Sequence, residues 1–248
     1  MTYCVGMLLD AGLVFLSDSR TNAGVDHIST FRKTFIFEHE HERVLVLLTS
    51  GNLAATQALV SVMRSRLLDP GSPNLHTVPN MFEAASLVGQ TLREVHERDA
   101  EGLAAFNIDF NAALILGGQI KGEPPRLFMI YAAGNFIEAT AETPYFQVGE
   151  SKYGKPIIDR VLKRNTSLEE AAKLALISMD STIKSNLSVG LPLDLVCLRT
   201  DGLKVALHEY IDAHNPYFAS LRSGWSEALR NAFMALPDPD WLKVADNS

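Results

Sequence analysis

The sequence predicts an α+β fold in which two stacked β-sheets lie between layers of helices. Helical periodicity occurs in two pairs of segments, and each pair interrupts a series of strands. The segments 44–48 and 195–198 are almost continuously apolar, which is typical of strands in a sheet that is covered on both faces. With 248 residues, 47% of them hydrophobic, the chain is long enough to bury a substantial core. Two sheets enclosed by helical layers satisfy these observations.

The elements of the first half follow from turn chemistry and periodicity. Residues 3–9 predict a buried strand, residues 10–12 a tight turn and residues 13–16 the returning strand. Because the two strands pair antiparallel, Asp18 is expected to return beside Thr2. Further strands are predicted at 34–37 and 44–48, and helices at about 53–68 and 80–104.

The second half repeats the alternation of strands and helices. A cluster of glycines predicts a hairpin loop over residues 117–122. The predicted strands are 110–116, 126–132, 136–139, 193–199 and 203–210, and the predicted helices are about 152–164 and 167–185. No internal repeat, low-complexity run or linker separates these elements, so residues 1–248 are predicted to form a single domain.

The C-terminal segment predicts an amphipathic helix at about 215–236. Asn215 and Pro216 supply its cap and its first turn. Large apolar side chains recur along one helical face, at Phe218, Leu221, Trp225, Leu229, Phe233 and Leu236. A stripe of this kind indicates either docking on the chain's own domain or a contact between subunits, and both alternatives stay open.

Composition and charge restrict the class of protein. A net charge of −7 argues against nucleic acid as the main partner. The sequence shows no leader and no apolar stretch of about 18 residues, so a cytoplasmic protein without a membrane partner is expected. Cys4 and Cys197 lie in apolar strand patterns and are interpreted as buried, reduced thiols. His39 and His41 belong to a charged turn, so no metal site and no cofactor is expected.

Thr2 is the residue whose chemistry indicates a function most clearly. Removal of Met1 would leave a threonine that carries its own free amine. A hydroxyl is a weak nucleophile that needs a neighbouring base, and an N-terminal threonine is able to use its own α-amino group. Such an amine titrates near pH ~8, close to the working range of a general base. Small second residues also occur in proteins without this chemistry, so Thr2 alone does not decide the function.

Three downstream positions are expected to approach Thr2. Asp18 follows the returning strand, and Lys33 precedes the next strand and is expected at the mouth of the same sheet. Gly51 lies where the strand at 44–48 passes into a helix, so a glycine amide and a helix N-terminus offer a site for an oxyanion. Singly, the three positions are explained as a strand-end cap, a solvated charge and a turn residue. Their ordered spacing together favours a catalytic group.

This ordered series resembles the catalytic framework of proteasome β-subunits, and in more detail it resembles Anbu, the bacterial proteasome-like family. The resemblance extends to about residue 210. The segments that carry it are 1–4 (MTYC), 10–15 (DAGLVF), 17–26 (SDSRTNAGVD) and 148–154 (VGESKYG). It implies a four-layer αββα sandwich of the N-terminal-nucleophile hydrolase type. Such a protein assembles with itself into a ring or an open spiral, uses no cofactor and hydrolyses a peptide or amide substrate.

Carried over by position, the resemblance makes Thr2 the nucleophile and its freed amine the general base. Lys33 would favour the ionised threonine, and Asp18 would orient Lys33 and balance its charge. The Gly51 amide would donate to the oxyanion, and Ser188 is retained from the family's pattern. Supporting positions are Arg20, Glu150, Ser151 and Ser185.

Two positions depart from the proteasomal pattern. Ser185 stands where active subunits carry an aspartate, and Glu150 stands where they carry a serine, with Ser151 one place later. Both changes alter charge and hydrogen bonding around the amine of the nucleophile. Besides a threonine peptidase, they leave open a hydrolytically weak or inactive assembly protein on the same fold and a small-molecule amidohydrolase. The need for an unfoldase partner stays open as well.

Overall fold

The computed structural model describes residues 2–22 and 28–242. The chain divides into two compact units, Met1–Ala213 and His214–Ser248. The strands are β1 Tyr3–Leu9, β2 Gly12–Asp18, β3 Arg20–Asn22, β4 Ile28–Thr30, β5 Thr34–His39, β6 Arg43–Gly51, β7 Ala112–Ile120, β8 Arg126–Ile130, β9 Phe136–Glu138, β10 Tyr145–Gly149, β11 Leu193–Arg199 and β12 Val205–Ile211. The helices are α1 Leu53–Leu67, α2 Met81–Ala105, α3 Lys155–Val161, α4 Leu168–Ser185 and α5 Pro216–Ala235.

Two five-stranded antiparallel sheets form the centre of the first unit. The first has the strand order β10-β1-β2-β11-β12 and the second the order β5-β6-β7-β8-β9. Helix α4 packs on the outer face of the first sheet, and α1 and α2 pack on the outer face of the second. The inner faces of the two sheets pack against each other. The predicted four-layer αββα sandwich of the α+β class is therefore confirmed.

The unbroken apolar run in β6 results from burial on both faces of its sheet. Leu45 and Leu47 face the core shared with α1 and α2. Val44, Val46 and Leu48 face the core between the two sheets. Burial of each such side chain stabilises the fold by about 1.5–3 kcal/mol, so this strand is anchored from both sides.

The long helices of the first unit begin at capping side chains. The Asn52 side chain accepts hydrogen bonds from the Ala54 and Ala55 amides at the start of α1. Ser167 and Glu170 form a capping box at the start of α4. These caps satisfy amides that have no partner within a helix, and they set the residue at which each helix begins.

The predicted hairpin loop at 117–122 is largely wrong. Gly117 and Gly118 continue β7 and pair with β8, and the turn begins only after Ile120. A Cβ at Gly118 would lie 2.2 Å from the Val44 carbonyl oxygen. These glycines therefore serve close packing between strands and do not make the turn.

The region around residue 150 also differs from the expectation. Periodicity does not predict β10, which pairs with β1 and places Gly149 opposite Tyr3. The helix expected at 152–164 is a 3-10 turn, Ser151–Tyr153, followed by the short α3. A Cβ at Gly154, between the two, would lie 2.7 Å from the Tyr3 hydroxyl, so the backbone passes close to this tyrosine.

The second unit contains α5 and a 3-10 turn at Asp240–Leu242. Helix α5 begins at Asn215, whose side chain accepts from the Phe218 amide, as its capping role predicts. On the predicted apolar stripe, Leu229 is 51% exposed and Phe233 is 74% exposed.

None of the helices in the described part of the chain combines the length and apolar character that a bilayer crossing requires. The prediction of a single domain stays a prediction.

Candidate active site

Thr2 lies directly before β1 and is buried. Its carbonyl oxygen accepts a hydrogen bond of 2.8 Å from the Glu150 amide. Gly149 approaches the same carbonyl so closely that a Cβ there would lie 1.9 Å from it. The backbone of Thr2 is thus held by the end of β10, which sequence reasoning did not foresee. Met1 and the motif residues 23–26 lie outside the described residues.

Asp18 and Lys33 form a fully enclosed ion pair next to Thr2. The Lys33 Nζ donates to Asp18 Oδ1 at 2.7 Å, and the Asp18 side chain is 0% exposed. The Tyr3 amide, which belongs to the peptide bond that joins Thr2 to Tyr3, donates to the same oxygen at 3.1 Å. Burial raises the pKa of the Asp18 carboxyl, and the Lys33 ammonium and the Tyr3 amide oppose this rise.

Lys33 reaches this position from the opposite sheet. The expectation that it belongs to the same sheet as Asp18 is wrong, because Lys33 precedes β5 at the edge of the second sheet. Its ammonium also donates to the Arg20 carbonyl oxygen at 2.6 Å, and its own carbonyl accepts from the Thr49 amide at 2.9 Å. The ion pair therefore joins the two sheets at the mouth of the sandwich.

Gly51 ends β6 immediately before the Asn52 cap of α1. This is the predicted junction of a strand end and a helix N-terminus. The neighbouring Ser50 is buried, and its hydroxyl would lie 3.2 Å from a Cβ at Gly149. Ser50 thus lies beside the backbone that holds Thr2. The sequence analysis assigned Ser50 no role.

The loop after α4 closes the other side of the Asp18 carboxylate. The Gly190 amide lies 3.4 Å from Asp18 Oδ2. The Arg20 guanidinium donates to the Leu187 carbonyl at 3.1 Å. Ser188 lies on this loop, half-buried, and its amide donates to the Asn186 side chain at 2.9 Å. The sequence pattern indicated Arg20 and Ser188 but not the contact through Gly190.

The remaining predicted positions lie at the margin of this arrangement. Ser185 is exposed at the last position of α4. Glu150 contacts Thr2 through its backbone, and its carboxylate lies 3.9 Å from the Lys152 ammonium. Ser151 starts the 3-10 turn and lines a separate cavity of about 310 Å³. Glu150 is therefore the member of this group that contacts Thr2, and it does so through its backbone amide.

Cys4 is a second nucleophilic side chain near Thr2. It is 0% exposed, and its Sγ donates to the Thr49 carbonyl at 3.6 Å. Burial and the Asp18 charge raise the pKa of the Cys4 thiol, which disfavours the nucleophilic thiolate. Cys4 and Cys197 are both free and buried. Among the described residues, no cluster of three metal-ligating side chains is present.

Substituting Gly149 tests how closely the site is packed. Gly149→Ala is expected to lower the free energy of unfolding by about 3 kcal/mol, because the glycine has φ +83° and its Cβ would overlap the Thr2 carbonyl. Chemical denaturation measures the change. The matched control is Gly102→Ala in α2, where the new methyl group has open space and a helical alanine is favoured by roughly 0.5–1 kcal/mol. Equal stability of Gly149→Ala and wild type would contradict the close approach.

A family model described as "Proteasome subunit" matches residues 2–195. Proteasome subunit beta from Haloquadratum walsbyi (strain DSM 16790 / HBSQ001) is 24% identical over 209 residues, which cover 84% of this chain and 77% of that protein.

Two solved structures are much more similar. Anbu (ancestral beta-subunit) from Yersinia bercovieri is 57% identical with a TM-score of 0.91, over 96% of this chain and 98% of that chain. The subunit in the helical assembly of the Anbu complex from Pseudomonas aeruginosa is 49% identical with a TM-score of 0.91, over the same shares of the two chains. The family match and these identities show that the chain belongs to the proteasome subunit family, and within it to the Anbu group of N-terminal-nucleophile hydrolases.

Proposed function

We propose that this chain is an N-terminal threonine hydrolase that cleaves peptide or other amide bonds, with Thr2 as its nucleophile after removal of Met1. One observation carries the proposal. A single oxygen, Asp18 Oδ1, accepts hydrogen bonds both from the Lys33 ammonium and from the peptide amide that follows Thr2. A buried ion pair is thereby coupled to the residue that bears the hydroxyl.

The proposed reaction uses groups of the chain alone. The free α-amine of Thr2 takes the proton from its hydroxyl, and the oxygen attacks the substrate's carbonyl carbon. The Lys33 cation favours the anionic oxygen, and the Gly51 amide is the proposed donor to the tetrahedral oxyanion. The carbon–nitrogen bond then breaks, the leaving amine takes the proton, and an ester to Thr2 remains. Water, deprotonated by the same amine, hydrolyses the ester and restores the threonine.

Asp18 has a positioning role in this mechanism. Its carboxylate is bonded to Lys33 and to the amides of Tyr3 and Gly190, which fix its orientation. Arg20 supports the group twice, through its carbonyl on Lys33 and through its guanidinium on the loop that carries Ser188. We propose that Ser188 lies near the α-amine of Thr2.

An inactive assembly protein on the same fold is a less satisfactory explanation. Burial of an ion pair costs several kcal/mol of desolvation, which the attraction between the charges only partly offsets. In a scaffold the pair would serve only to join the two sheets, whereas a hydrolase also needs a cation at its nucleophile. At the two positions that depart from the proteasomal pattern, Ser185 is exposed at the end of α4 and the Glu150 carboxylate lies 3.9 Å from the Lys152 ammonium.

We further propose that the hydrolase works as a homo-oligomer in the cytoplasm. The relative from Pseudomonas aeruginosa forms a helical assembly. In this chain, Leu229, Phe233 and Leu236 of the apolar stripe are all more than half exposed, which is unfavourable for an isolated subunit. The free cysteines fit a reducing compartment.

Removal of Met1 is the first test, because the proposed base does not exist before it. We expect the intact mass of protein from a host with methionine excision to be lower by one methionine residue. We also expect a peptide epoxyketone, which reacts with a hydroxyl and an amine on adjacent carbons, to add once at Thr2. Thr2→Ser should keep this labelling, and Thr2→Ala should lose it. Retention of Met1, or labelling of Thr2→Ala, would refute the mechanism; cleavage of a peptide pool compared with simple amides then distinguishes peptidase from amidase.

A further inference from the structure

The phenol of Tyr3 is enclosed between β10 and α4, and the proposed mechanism does not use it. Its hydroxyl accepts a hydrogen bond of 2.5 Å from Gln147 Nε2 and lies 2.8 Å from Ser178 Oγ. Tyr3 and Ser178 are both 0% exposed. A Cβ at Gly154 would lie 2.7 Å from the same hydroxyl, so the glycine leaves room for it. The phenol is therefore bonded to two elements other than its own strand.

The hydrogen bonds around this hydroxyl have one consistent direction. The amide nitrogen of Gln147 is only a donor. Ser178 Oγ donates its single proton to the Ala175 carbonyl at 3.0 Å, so it accepts from Tyr3. Burial raises the pKa of the Tyr3 phenol, which therefore keeps the proton that this bond requires. Each hydroxyl both accepts and donates, and a complete network of this kind holds a buried side chain in a single orientation.

The backbone of Tyr3 leads directly to the nucleophile. The peptide bond between Thr2 and Tyr3 is planar, so the Cα atoms of both residues share a plane with the Thr2 carbonyl and the Tyr3 amide. Asp18 Oδ1 accepts from that amide at 3.1 Å, and the Glu150 amide donates to that carbonyl at 2.8 Å. These two bonds hold the two sides of the plane, and the phenol holds the Tyr3 end of it. The three contacts together determine where the Thr2 Cα lies relative to the ion pair.

Strand β10 takes part in two of these three contacts. Gln147 lies within the strand and bonds to the phenol, and Glu150 directly follows the strand and bonds to the Thr2 carbonyl. Between them, Gly149 lies opposite Tyr3 in the pairing with β1. Phenylalanine would fill the same space as Tyr3, but it would not bond to β10 or α4. The hydroxyl therefore adds a fixed orientation that apolar packing alone does not supply.

We propose that Tyr3 is a positioning residue, whose hydroxyl, held by Gln147 and Ser178, orients the Thr2–Tyr3 peptide and thereby aligns the Thr2 hydroxyl with Lys33. The inference rests on the proposed function and adds a residue to the same site. Tyr3 acts through the backbone and does not contact the substrate. Its loss therefore slows the chemical step and leaves the binding of substrate unchanged.

Saturation kinetics of Thr2 labelling by a peptide epoxyketone test the proposal on the full-length protein, with intact mass as the readout. Tyr3→Phe is expected to lower the limiting rate about tenfold, because a small displacement of a reacting group slows a reaction strongly. The probe concentration that gives half of the limiting rate should stay unchanged, since the hydroxyl is buried. A purely structural role would lower the free energy of unfolding but leave the limiting rate of the folded protein as it is.

Tyr145→Phe is the matched control. It removes a phenol hydroxyl from the same strand β10, but this hydroxyl bonds to Lys155 and Asp159 on α3. Tyr145→Phe should therefore keep the limiting rate of wild type. Ser178→Ala should slow labelling as Tyr3→Phe does, and Tyr3→Phe/Ser178→Ala should be no slower than Tyr3→Phe, because both act through one hydrogen bond.

Gln147→Met provides a second route if Tyr3→Phe does not fold. It removes the donor from a partly exposed position, and a limiting rate lower by about threefold is expected. A folded Tyr3→Phe or Gln147→Met that reaches the limiting rate of wild type would overturn the positioning role while the threonine mechanism stands. So would a change confined to the half-saturating concentration. If the probe does not add to Thr2 of wild type, the threonine mechanism fails, and the positioning role fails with it.

Discussion

Lys33→Met is expected to slow the covalent labelling of Thr2 by about 100-fold to 1000-fold. The lysine is the only cation bonded to the buried Asp18 carboxylate among the described residues, so its removal takes away the charge that favours the ionised hydroxyl. Labelling kinetics by intact mass measure the effect. Lys173→Met, an exposed lysine on α4, is the matched control and should label at the wild-type rate.

Stability has to be separated from chemistry in this variant. Breaking a buried ion pair by removal of one partner costs about 3–5 kcal/mol, because the remaining charge is left without compensation. Lys33→Met/Asp18→Asn removes both charges and is expected to regain most of this stability. A folded double variant that labels as fast as wild type would return Lys33 to a purely structural role.

Lys33→Met also predicts a pH dependence of folding with a definite sign. Burial raises the pKa of Asp18, and the lysine is the main group that opposes this rise. Without it, the folded state keeps the carboxyl proton at pH values where the unfolded chain, with a pKa near ~3.9, has released it. The free energy of unfolding is therefore highest below that pH and falls as pH rises toward the folded-state pKa. Lys33→Met/Asp18→Asn should show no such fall when denaturation is compared at several pH values.

Ending the chain before Asn215 is expected to convert a large assembly into much smaller species. The boundary between the two compact units lies between Ala213 and His214, so the truncation removes α5 and leaves all twelve described strands intact. The exposed apolar stripe of α5 is the surface expected to contact other subunits. Native mass and sedimentation measure the change, and circular dichroism checks that the core remains folded.

A milder pair of variants controls for the possibility that the truncation acts by unfolding the protein. Leu229→Ser/Phe233→Ser removes two members of the stripe, whereas Glu227→Ser/Arg230→Ser changes two exposed polar residues on the same helix. Only the first pair is expected to shift the assembly to smaller species. A full-length protein that runs near its monomer mass of 27.2 kDa at micromolar concentration would defeat the prediction.

The sequence by itself determined the architecture and the order of the site residues. A hairpin is a local structure, so the tight turn at residues 10–12 was sufficient to bring Asp18 back beside Thr2. The unbroken apolar runs indicated sheets covered on both faces, and the cap at Asn215 marked where the C-terminal helix begins. Such signals depend on residues that are close together in the chain, so they can be recognised without the tertiary structure.

Only the tertiary structure decided which elements meet around Thr2. Lys33 reaches Asp18 from the opposite sheet, and Gly190 contacts it from a loop 172 positions away. The Glu150 amide on the Thr2 carbonyl depends on β10, which carries no clear periodic signal. A cleft along β5 likewise joins residues 31–32 and 34–36 to His208 of β12 in the other sheet. Contacts between sheets arise from long-range packing of side chains, and the spacing of residue types along a single chain does not specify them.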